Sequence, residues 1–65
     1  MYINKRNLEL ALAKAGITQV QLAERSGVSR QQISTIKLRG TCNPYTAAKL
    51  ALGLGVDLEY LTKEE

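Results

Sequence analysis

The sequence predicts an all-α fold, a bundle of five short helices, on three observations. Apolar residues recur at helical spacing, a capping residue stands before each helical stretch with glycine after most of them, and no segment alternates in the manner of a strand. At 65 residues the chain is read as a single domain, 1–65. A chain of that size buries only about 60% of the surface of its unfolded form. Cys42 is the one cysteine and histidine is absent, so neither a disulfide nor a zinc site braces the fold, and no metal or cofactor is expected. Packing must hold the chain together, with dimerisation a usual aid to so small a core.

The first helix is expected over 5–15, where Leu8, Ala11, Leu12 and Ala15 follow the i, i+3, i+4, i+7 pattern. Asn4 is its candidate N-cap and Gly16 its end. Thr18 caps the second helix, with Gln21 completing a capping box and Ile17 and Leu22 placed as a hydrophobic staple. That helix runs to about 26, where Gly27 permits the left-handed turn that stops it. Ser29 caps the third, whose buried stripe is Ile33 and Ile36 above Val28, and which ends between 38 and 40. Asn43 and Pro44 start the fourth, which carries Ala47, Leu50, Ala51 and Leu54 inward and ends in a Gly-Leu-Gly run. Asp57 is placed to cap a last short helix before an acidic, frayed tail at about 62–65.

The net charge of +3 conceals an asymmetry. Residues 1–56 hold eight basic side chains against two acidic, a net of +6, while residues 57–65 hold one against four, a net of −3. A basic body with an acidic end points to a polyanion-binding face from which the last segment is kept clear. No apolar run approaches the roughly 18 residues of a membrane span. The first residues also lack the long apolar stretch of a signal peptide, so no membrane partner is expected and a cytoplasmic location is the default.

The stretch ERSGVSRQQ, residues 24–32, carries the functional signal. Two helices joined by so tight a turn cannot lie antiparallel, and Ala23 and Gly27 supply the small residues that a steep crossing needs. With Leu22, Val28, Ile33 and Ile36 buried together, the third helix presents Arg30, Gln31, Ser34, Thr35 and Lys37 outward. Arginine pairs with the O6 and N7 of guanine, glutamine with adenine, and serine or threonine with several acceptors. Ser29 and the free amides of the first turn suit a phosphate. These features make a helix-turn-helix, at about 18–38, whose second helix, 29–38, fits the major groove of double-stranded DNA.

The pattern T-Q-x-x-L-A-x-x-x-G-V-S-x-x-x-I-S-x-I resembles the phage repressor and Cro type of helix-turn-helix protein, the XRE family. Pro44, KLALGLGV at 49–56 and DLEYL stand where that family has its fourth and fifth helices, so the resemblance covers roughly residues 4–61. It implies a lambda-repressor-like DNA-binding domain. It also implies base contacts from Arg30, Gln31 and Thr35, with Ser34 beside them, and phosphate contacts from Gln19, Ser29, Asn43 and Tyr45. The chain departs from the family in two places. Many members pair an arginine of helix 1 with a glutamate near the end of helix 3, where this chain has Leu12 and Lys37. The expectation is that apolar packing replaces the pair and leaves Lys37 free for a phosphate. Gly40 also falls one residue late, which predicts a longer third helix.

Leu58, Tyr60 and Leu61 form the candidate homodimer contact, since so short a helix has few buried positions and tyrosine joins an apolar face to a polar tip. The reading is a sequence-specific transcriptional regulator, a small Cro-like repressor acting as a dimer on a palindromic operator. Because the five helices take up the chain, no small-molecule ligand is expected, and control falls to abundance or to a partner. The alternative is an antitoxin-like or other protein-interaction module that autoregulates its operon. No convergent acid, base and nucleophile set points to an enzyme.

Overall fold

The computed structural model describes residues 1–64 and is all-α. The helices are α1 (Lys5–Ala15), α2 (Gln19–Ser26), α3 (Arg30–Arg39), α4 (Pro44–Leu54) and α5 (Leu58–Thr62). Glu65, the end of the expected frayed tail, lies outside the described residues.

Side chains fix where most helices start. Asn4, Thr18, Ser29 and Asn43 each accept a hydrogen bond from an amide of the first turn. Thr18 and Ser29 do so within full capping boxes, closed by Gln21 and Gln32. Asp57 differs from the expectation, for it has N-cap backbone angles but makes no side-chain cap hydrogen bond. α5 is instead begun by the backbone bond from the Tyr60 amide to the Asp57 carbonyl, 3.0 Å.

Each helix contributes one large, wholly enclosed side chain to the core: Leu8, Leu22, Ile33, Leu50 and Leu61. Enclosing such a residue stabilises the fold by about 1.5–3 kcal/mol. Ala11, Val28, Ile36, Ala47, Ala51 and Leu54 fill the space between them. Ala15 departs from the predicted stripe and is exposed.

α2 packs tightly against α4 at Gly53, inside the last turn of α4. A Cβ there would lie 3.0 Å from the Ser26 Cβ and 3.2 Å from its Cα, so the approach requires glycine. Ser26 also serves the α2–α3 turn, its hydroxyl donating to the Leu22 carbonyl at 2.7 Å and accepting from the Val28 amide at 3.2 Å.

The first residues are built into the fold. Tyr2 forms an antiparallel bridge with Thr41, fastened by Ile3 N–H to Gly40 C=O at 2.8 Å and Cys42 N–H to Met1 C=O at 3.0 Å. Ile3 is thereby buried. Asn7 Nδ2 donates to the Tyr60 carbonyl at 2.8 Å and locks α1 to α5. Burial pushes the Cys42 thiol above its usual range, against a smaller opposing effect of the N-terminal ammonium. A raised thiol is a poor nucleophile, in keeping with a packing role.

Candidate nucleic-acid interface

The turn at 27–29 determines which side of α3 meets solvent. Gly27 adopts φ 75°, and its amide closes on the Ala23 carbonyl at 3.0 Å. The chain then passes through buried Val28 to the Ser29 cap. Ile33 and Ile36 face inward, leaving Arg30, Gln31, Ser34 and Thr35 exposed on the other side.

The start of α2 flanks this face on one side. Ser34 Oγ donates to Gln19 Oε1 at 3.3 Å, which leaves the Gln19 amide nitrogen free to donate to a ligand. The start of α4 flanks the other side, where Ser29, Gln31, Thr35 and Asn43 line one open groove of about 370 Å³. Asn43 spends its carbonyl oxygen on the Thr46 amide, 2.8 Å, and keeps its own NH₂ as a donor. Thr35 donates its hydroxyl to the Gln31 carbonyl at 3.0 Å, so its methyl and an acceptor lone pair remain.

Ser29 acts first as a cap, accepting from the Gln32 amide at 3.1 Å. That leaves the Arg30 and Gln31 amides as the orphan donors of the first turn, the groups that attract an anion at a helix N-terminus. Gln32 is exposed, but its side chain turns back to the Ser29 amide, 3.4 Å, away from the outer face. Tyr45 is 75% exposed, with Lys49 Nζ 5.1 Å from its ring centroid, a cation–π pair that places a positive charge on the outer face of α4.

These observations place Arg30, Gln31, Ser34, Thr35, Gln19, Ser29 and Asn43 around one surface. Lys37 does not belong to it as expected, since its ammonium pairs with the Glu9 carboxylate of α1. An ion pair between α1 and α3 therefore exists here, with the acid on α1, alongside the apolar packing foreseen at Leu12, which is buried in the core. Leu61 is a second correction. It is fully enclosed within the chain and has no surface left for a partner. Leu58 and Tyr60 are half-buried, and Tyr60 shares a groove with Asn7 and partly exposed Leu10.

The helix-turn-helix family model matches residues 8–61, from the first enclosed leucine of α1 to the last of α5. The chain belongs to this helix-turn-helix family, of the XRE, Cro and phage-repressor type. It is accordingly a DNA-binding regulator of that type. No match was found among curated proteins or among solved structures. Among the described residues of this helix-turn-helix protein, no helix is long and apolar enough to cross a membrane, and no cluster of His, Cys, Asp or Glu is suited to a metal.

Sequence reasoning did not single out Leu38, which stands exposed on α3, or the Tyr45–Lys49 pair. Spacing signalled the second, because residues four apart on a helix are neighbours. The Ser29–Gln32 capping box was legible in the same way.

Proposed function

We propose that the chain is a small cytoplasmic repressor that binds a palindromic operator as a homodimer, with α3 of each copy in the major groove. The observation that carries this reading is the exposed face of α3, set between the starts of α2 and α4. Arg30, Gln31, Ser34 and Thr35 read base edges. Gln19, Asn43, Tyr45 with Lys49, and the first-turn amides at Ser29 hold phosphates on either side. Lys37 is reserved for Glu9 and contributes to positioning α3. Repression follows from occupying promoter DNA.

One recognition helix reads few base pairs, and two copies with half-sites one helical turn apart multiply the discrimination. Tyr60, Leu58 and Leu10 supply the partly exposed apolar surface for that pairing.

Selection from a random duplex pool at moderate salt, with sequencing of the bound fraction, tests the reading. Enrichment of a palindrome with half-sites about one turn apart is expected. If the folded protein enriches no sequence, the protein-interaction reading replaces this one.

A further inference from the structure

Leu38 is 79% exposed, although it lies near the end of the helix whose other exposed face is polar. Residues seven apart on an α-helix lie within about 20° of each other around the axis and about 10 Å apart along it. Leu38 stands seven residues beyond Gln31, four beyond Ser34 and three beyond Thr35, so it continues their line along α3. The described residues leave most of its side chain uncovered. Leucine is also the one side chain on that line unable to exchange a hydrogen bond with a base or a phosphate.

We propose that Leu38 reads the 5-methyl group of a thymine, a specificity contact that rests on the major-groove reading of α3. Among the four base-pair arrangements, thymine alone displays a methyl in the major groove, and apolar side chains recognise it. The contact removes two apolar groups from water at once. The thymine lies in the same half-site as the base pair that Gln31 contacts, displaced from it along the groove in the direction in which α3 runs.

Replacing thymine by deoxyuridine deletes the methyl and keeps every pairing and hydrogen-bonding group. The test replaces each thymine of the selected duplex in turn and measures affinity for the wild type and for Leu38→Ala, whose retained fold is checked by its circular dichroism melt. One thymine per half-site is expected to show a loss of about fourfold with the wild type, the factor for one buried methyl-sized group. Leu38→Ala is expected to bind both duplexes alike at that position. The proposal is overturned if every replacement is neutral, or if the loss persists in Leu38→Ala; its disappearance in Thr35→Ser would then assign the methyl contact to Thr35. Failure to select any duplex removes the DNA-reading account itself and this contact with it, an outcome distinct from a selected site indifferent to the methyl.

Discussion

Gln19 and Ser34, on different helices, join their side chains at 3.3 Å and so tie the first turn of α2 to the exposed face of α3. The bond fixes the Gln19 side chain beside the recognition face with its amide hydrogens unspent. Gln19→Ala is expected to weaken binding to selected and random duplexes alike, because a phosphate contact carries no sequence information. Ser34→Ala is expected to lower affinity for the selected site more than for random DNA. Both residues lie at the surface, so the melting temperature should barely move. Equilibrium titrations against the two duplexes, with thermal melts alongside, check these outcomes.

The Glu9–Lys37 pair joins α1 to α3 across half-exposed surface, with Glu9 the more exposed partner at 56%. Such pairs contribute about 0.2–1 kcal/mol. A double-mutant cycle built from Glu9→Gln and Lys37→Gln should return a coupling in that range, shrinking as salt is raised. Zero coupling at low salt would mean that the pair contributes nothing to holding α3.

Gly53→Ala sets two effects against each other. Alanine gains about 1 kcal/mol in helix propensity. Its Cβ meets the Cβ and Cα of Ser26 at 3.0 and 3.2 Å, contacts that cannot swing aside like the tip of a long side chain. Overpacking of this kind costs about 1–3 kcal/mol. A lower melting temperature is expected, and a higher one would mean that α2 and α4 separate without cost.

Tyr60 and Leu61 are neighbours with opposite environments, half-buried and fully enclosed. Leu61→Ala should cost about 2–5 kcal/mol of stability through the cavity it leaves. Tyr60→Glu should leave the chain helical while weakening the pairing of two copies and their hold on a palindrome. Sedimentation and thermal melts separate the two effects. A dimer unchanged by Tyr60→Glu would place the contact elsewhere.

Local signals accounted for most of the fold. Asn4, Thr18, Ser29 and Asn43 mark helix starts through bonds that span only three residues. Leu8, Leu22, Ile33 and Leu50 could be read as core from periodicity, because their helices run eight residues or more. α5 is five residues long, too short for periodicity to separate enclosed Leu61 from half-buried Leu58 and Tyr60. The remaining surprises come from contacts distant in sequence. Ile3 is buried because Met1 and Ile3 pair with Cys42 and Gly40, Lys37 meets Glu9 from another helix, and Gly53 reads as a helix end until Ser26 is seen against it. The recognition face was legible as a set of residue types, whereas the Gln19–Ser34 bond and the commitment of Gln32 to its cap require the geometry.

The most direct test of the central claim is the ratio of affinities for the selected and a random duplex, measured at one salt concentration for the wild type and for the Arg30→Ala, Gln31→Ala double variant. Two base contacts at ~1–3 kcal/mol each predict that this ratio falls at least about thirtyfold, with most of the loss on the selected duplex. A double variant that loses affinity equally for both duplexes, keeping the wild-type ratio, would contradict the assignment of α3 as the helix that reads sequence.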